Sequence, residues 1–269
     1  MRWIFRDIPL SLICLMLAAG CIGKHEMEDP VIDPIIDPVD GSADKGTRFY
    51  HRVLAYEFTG TWCQYCPNMA VALDSAKLLR PGRIVEMAVH QYDEMSSPVC
   101  DTIVEHFAIA GFPHVVFDFD GATRIQRQEV GLLTSYVDQA LLAHPACGLS
   151  IDATTAGKVT LRIHAAEAGE YCLSAALVED GIVARQTGYG DGYVNNSVLR
   201  ATLSSTYKGE PLGVLEAGQE AVRIYDVPAT GQYRVVAFVL QRLADGSWLS
   251  VNAGQCKIGH LQPYRYEPD

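Results

Sequence analysis

The chain has no basic run: 21 lysines and arginines face 32 acids over 269 residues, for a formal charge of −11. An acidic surface of this kind is a poor partner for nucleic acid or for anionic lipid headgroups. A P-loop and a dinucleotide fingerprint are also missing, so neither nucleotide chemistry nor a nicotinamide or flavin cofactor is implied. The pair Cys63 and Cys66 has no second pair at metal spacing, which leaves any zinc site half built and implies no bound metal. The longest apolar run, Ile8–Ala19, is too short to cross a bilayer as a helix. What remains is globular in composition, 49% hydrophobic and 20% charged, and long enough for two domains.

The short apolar run has a different use. Arg2 and Arg6 precede it, and it ends in Leu17-Ala18-Ala19-Gly20-Cys21. Small residues directly before a cysteine resemble the lipobox of bacterial lipoproteins. That resemblance implies a signal peptide over 1–20, cleavage after Gly20 and lipid on Cys21, hence an outer-membrane lipoprotein facing the periplasm or the surface. An ordinary secretory signal, with Cys21 incidental, is the plainer alternative. Either route delivers the chain to an oxidising compartment, where disulfides persist. Residues 21–47 read as a tether: Asp-Pro recurs at 29, 33 and 37, and seven acids against two lysines keep the stretch solvated. Extended, it would reach roughly 80 Å at about 3.1 Å per residue.

From residue 48 the pattern becomes α/β. Arg52–Phe58 reads as a buried strand, and Met69, Ala72, Leu73 and Ala76 follow at helical spacing, with Pro81-Gly82 as the stop. Ile84–His90 is a second strand, Ile103, Val104 and Phe107 mark a short helix, and Val115–Phe117 is a third strand. Asp120-Gly121 signals a hairpin into a fourth strand at Thr123–Ile125. Val130, Leu133, Val137, Ala140 and Leu141 then mark a closing helix. Beyond Pro145, alternating or apolar runs such as Val159–Ile163, Tyr171–Val178, Tyr233–Leu240 and Trp248–Cys256 are separated by Gly, Asp and Asn clusters. About seven strands of this kind suit an all-β, immunoglobulin-like sandwich over 146–269.

The segment Phe58-Thr59-Gly60-Thr61-Trp62-Cys63-Gln64-Tyr65-Cys66-Pro67 carries the chemistry. A helix N-terminus bears partial positive charge and free N–H groups, which favour a thiolate at Cys63. Cys66 lies near enough to resolve a mixed disulfide. An inert structural disulfide is the alternative. Cys100, Cys147, Cys172 and Cys256 allow three pairings if all are oxidised, although buried thiols are the default on apolar strands.

The order of elements around this motif resembles the thioredoxin fold, and two more residues sharpen the likeness. Glu57 lies six residues before Cys63, where thioredoxins and disulfide isomerases bury a carboxylate that relays a proton to the second cysteine. Gly111-Phe112-Pro113 precedes the third strand, where the family places a cis-proline loop; a cis Phe112–Pro113 bond is therefore expected. The resemblance makes Cys63, Cys66 and Glu57 catalytic, and assigns Trp62, Phe112 and Pro113 to the substrate chain. The full architecture resembles the twenty-eight-kilodalton outer-membrane-protein family of bacterial lipoproteins, with Asn195-Asn196-Ser197-Val198-Leu199-Arg200 similar to a segment of its C-terminal half. That family includes members described as thioredoxin-like and others described as adhesins. Two functions stay open: an oxidoreductase acting on exported protein thiols and disulfides with a redox partner unidentified, or a surface-binding protein on a redox-inactive scaffold. Copper delivery through His90 or His114 beside the thiolates is a third. Gln64-Tyr65 departs from the Gly-Pro of thioredoxins and the Gly-His of isomerases, which leaves the direction of transfer open.

Overall fold

Residues 48–229 and 231–268 are described here from a computed structural model. The expected signal peptide, Cys21 and the tether at 21–47 lie outside the described residues. Apolar side chains on both faces make β1 (Val53–Thr59) a strand buried on both sides. The helical spacing after the cysteine motif gives α1 (Cys66–Leu79), which buries Met69, Ala72, Leu73 and Ala76 and stops before Pro81-Gly82. It returns the chain to β2 (Ile84–His90), paired parallel to β1. Then come α2 (Pro98–His106), β3 (His114–Phe117), antiparallel to β1, and α3 (Val130–Ala140).

Side chains alternate across β1, and each set has its own partner. Val53 and Ala55 pack with α1 and α3, whereas Leu54, Tyr56 and Phe58 face the opposite way. The expected fourth strand at Thr123–Ile125 shrinks to a single bridge between Val115 and Ile125. Gly121–Thr123 winds instead as a 3-10 turn. Asp120 accepts from the Ala122 amide at 2.9 Å, and the Thr123 hydroxyl donates to the Asp120 carbonyl at 2.7 Å. These local bonds hold the backbone off a strand path.

The described residues from 147 onward are all β: β4 (Cys147–Asp152), β5 (Lys158–Ala165), β6 (Gly169–Glu179), β7 (Ile182–Gln186), β8 (Gly190–Asn195), β9 (Val198–Thr202) and β10 (Glu210–Leu215) come first. The series continues with β11 (Glu220–Asp226), β12 (Tyr233–Arg242), β13 (Trp248–Lys257) and β14 (Leu261–Gln262). This exceeds the expected seven and departs from an immunoglobulin-like layout. One sheet runs β13-β12-β6-β9-β2-β1-β3, with β10 beside β6; a second runs β11-β5-β4-β14; and β7 pairs only with β8.

Secondary structure does change from α/β to β near the boundary expected at 145/146, but the sheet does not end there. In the large sheet the two halves join through one parallel residue pair, Ala88 and Val198, with the Ala88 amide donating to the Ser197 carbonyl at 2.8 Å, and Phe49 bridges Tyr266 elsewhere. β12, between β13 and β6, turns one face to each of two cores. Its Val236, Phe238 and Leu240 join the cluster of Leu54, Tyr56 and Phe58, while Val235, Ala237 and Val239 pack toward β4 and β5, sandwich fashion. Buried Asn252 adds polar stitching: it accepts from the Arg52 amide and donates to the carbonyls of Tyr50 and Cys147. Cys100, Cys147, Cys172 and Cys256 are free thiols, so none of the three pairings forms. Burial raises each above its ordinary value, which favours the thiol over the thiolate.

Candidate redox site

Cys63 and Cys66 form a disulfide, with Cα atoms 5.5 Å apart. Helix α1 begins at Cys66, with Pro67 in its first turn, where a missing N–H costs no intrahelical bond. Cys63 therefore sits three residues ahead of the helix, in a turn closed by its own amide on the Gly60 carbonyl at 3.0 Å. Of the two, Cys63 is the more accessible, 5% exposed against 1% for Cys66. Trp62 and Tyr65 flank it at 45% and 57% exposed.

The loop before Cys63 is held from β2 and its continuation. The Trp62 indole donates to the Gln91 carbonyl at 2.7 Å. Gly60 leaves the space for this: a Cβ there would stand 2.7 Å from the indole nitrogen and 3.1 Å from the Gln91 carbonyl. Asp93 accepts from the Thr61 amide at 2.9 Å and bonds the His90 ring at 2.8 Å. Burial pushes the Asp93 carboxyl up, but His90 and the Thr61 and Met95 amides outweigh it and hold it below the usual range. On the other flank the Phe112–Pro113 bond is cis, as expected. The Phe112 ring meets Trp62 edge-on with centroids 5.3 Å apart, so the two loops form one surface. His114 bonds the Gly111 carbonyl through Nδ1 at 2.6 Å. Asp93 and Gly111 thus engage the two histidines considered for copper, and nothing in either arrangement favours that reading.

Between the β1–β2 pair and α1 lies a buried carboxyl pair, Glu57 and Glu86. Glu57 shares the α1-facing parity of Val53 and Ala55, and Glu86 that of Ile84. The residue opposite Glu57 is Ala88, whose small side chain leaves room between strand and helix. The carboxyls of Glu57 and Glu86 hydrogen-bond to each other, which requires a proton between them. Burial, followed by the charge of Glu86, holds Glu57 well above the ordinary carboxylate range. Burial pushes Glu86 the same way, but Lys77, the bond to Glu57 and Arg234 outweigh it and hold Glu86 below its ordinary value. The proton therefore rests on Glu57. Glu57 Oε1 has no partner and the residue borders a cavity of about 60 Å³, enough for a few waters. Pro67 and Ala70 of α1 line it on one side, with Glu86 and His90 of β2.

The other wall comes from the second half of the chain, a contribution sequence reasoning missed. The β7–β8 hairpin lies against the redox loop. Buried Gln186 donates to the carbonyls of Cys63 at 2.7 Å and Gly60 at 3.2 Å. The Thr187 amide donates to the Thr61 carbonyl at 2.8 Å, and the Tyr189 hydroxyl bonds Asn68 Oδ1 at 3.0 Å. Gln186, Tyr193 and Asn195 line the cavity. The one available signal was Glu86 itself, a carboxylate set inside the apolar run Ile84–His90.

Two solved structures share this fold. HBP35 of Porphyromonas gingivalis matches with a TM-score of 0.68 at 19% identity, over 84% of this chain and 80% of that one. Protein AGR_C_4864 from Agrobacterium tumefaciens matches with a TM-score of 0.59 at 14% identity, over 81% of this chain and 97% of that one. No protein-family model and no curated protein matches the sequence.

Proposed function

We propose that this chain is a thioredoxin-like thiol–disulfide oxidoreductase, a reductase or isomerase of exported proteins, held to the outer membrane by lipid on Cys21. The observation that carries the reading is the Cys63–Cys66 disulfide at the head of α1, with protonated Glu57 buried on β1. An incoming thiolate, from a substrate protein or an external dithiol donor, attacks Cys63 Sγ. The S–S bond breaks and its electron pair leaves on Cys66, which takes its proton from Glu57. A second thiolate on the donor displaces Cys63, which leaves as the thiolate. Donor dithiol has then become disulfide and the protein holds two reduced cysteines. Run in reverse, Cys63 attacks a substrate disulfide and Cys66 resolves the mixed intermediate, returning its proton to Glu57. The Trp62–Phe112 surface receives the substrate chain, and Pro113 fixes the loop that presents it.

The lipid anchor and cell-envelope location rest on Leu17–Cys21 and the tether that follows. Insulin reduction driven by dithiothreitol tests the enzyme reading: the full chain accelerates precipitation of the insulin B chain, and Cys63→Ser abolishes the acceleration. Inactivity of the unaltered protein in this assay and in refolding of scrambled ribonuclease would favour a binding protein on an inert scaffold.

A further inference from the structure

Glu86 has no place in the thiol chemistry itself, yet it is tied to both halves of the chain. Lys77 of α1 forms an ion pair with its Oε2, and Ser197 donates to the same oxygen at 3.2 Å. Ser197 in turn accepts from Arg234 at 3.0 Å, and Arg234 grips Asp180 through two bonds of 2.6 and 2.7 Å. Glu86 thus joins the helix that carries Cys66 to the strands of the second half. Ser197 holds an unusual backbone for this, with φ +56°. It belongs to Asn195-Asn196-Ser197, so that polar segment ends beside the carboxyl pair.

We propose that Glu86 is the positioning residue for Glu57: fixed in the ionised form by Lys77 and by the Ser197–Arg234 chain, it keeps the shared proton on Glu57. The inference rests on the oxidoreductase reading for its purpose, but the coupling itself does not depend on turnover. Glu57 Oε1 is buried without a hydrogen-bond partner, and the residue lines the cavity together with Pro67, the neighbour of Cys66 in sequence. The other groups facing the pair are Asp74 on α1, His90 on β2 and Tyr193 on β8. None of them replaces Lys77 as the cation bonded to Glu86.

Two substitutions move Glu57 in opposite directions. Glu86→Gln removes a negative neighbour while Lys77 stays, so Glu57 ionises at lower pH. Lys77→Met removes the cation while Glu86 stays, so Glu57 ionises at higher pH. Each shift is expected at about one unit or more, and Lys77→Arg should restore the unaltered titration. The measurement is the carboxyl carbon resonance of Glu57 against pH in ¹³C-glutamate-labelled full chain, oxidised, and assigned by its loss in Glu57→Gln. Because this readout needs no activity, it separates the proposal from the enzyme reading. Opposite shifts in a protein without thiol chemistry would uphold the coupling and remove the oxidoreductase. Shifts of the same sign, or none, would overturn the coupling whatever the activity. If Glu86→Gln fails to fold, the Lys77→Met and Lys77→Arg pair at a partly exposed site decides by the same sign.

Discussion

At the residue scale, buried acids set how this protein responds to pH. Asp118 shows the sign most cleanly. It accepts from the Leu54 amide at 2.9 Å, and burial pushes its carboxyl up to about 8. Between the unfolded value of about 4 and that folded value, the native state holds a proton which the unfolded chain releases. Stability therefore falls as pH rises through this window, and the loss is complete only above the folded value. Asp118→Asn keeps the acceptor for Leu54 and removes the charge. Its melting temperature should exceed that of the unaltered protein by a margin that grows from about pH 4 to pH 8; a margin constant with pH in calorimetry would refute the assignment. Glu57 was legible because its spacing from Cys63 is local, six positions from β1 into the turn that follows it. Gln186 was not, since a donor 123 residues from its acceptor leaves no trace in either stretch of sequence.

At the element scale, legibility followed burial. β1, α1 and β2 bury regular apolar sets, and their periodicity located each within a residue or two. β7, β8 and β11 alternate between exposed and half-buried positions, with little apolar signal to mark them. The fourth strand failed for another reason: Asp120 and Thr123 satisfy nearby backbone groups and so stabilise the 3-10 turn. The β7–β8 hairpin, missed for want of an apolar signal, is the one that secures the Gly60–Cys63 loop. Gln186→Ala leaves the carbonyls of Cys63 and Gly60 without their side-chain donor in a buried setting. Unfolding in urea with the disulfide intact should show a loss of about 1–3 kcal/mol, and Gln186→Glu, which sets a carboxylate against two carbonyls, a loss at least as large. Unchanged urea midpoints in both variants would mean the hairpin contact is incidental.

At the scale of the whole molecule, a change of secondary structure and the limit of a core are separate things. The composition shift near Pro145 was plain in the sequence, but the face of β1 away from α1 and α3 is completed by Val236, Phe238 and Leu240, whose numbers place them far beyond that shift. Periodicity says that Leu54, Tyr56 and Phe58 need cover and does not say from where. The second half consequently does more than append a surface: it walls the cavity beside Glu57 and anchors Glu86. That construction has a purpose only if the Cys63–Cys66 bond opens and closes under the conditions the protein meets. Its reduction potential is the direct test, measured on the full chain in graded thiol–disulfide buffers, with Cys63 and Cys66 distinguished from the free thiols Cys100, Cys147, Cys172 and Cys256 by alkylation and peptide mapping. A reversible two-electron value between those of thioredoxins and disulfide isomerases, about −270 to −180 mV, is the expected result. A value below about −300 mV, the range of inert structural bridges, would contradict the account.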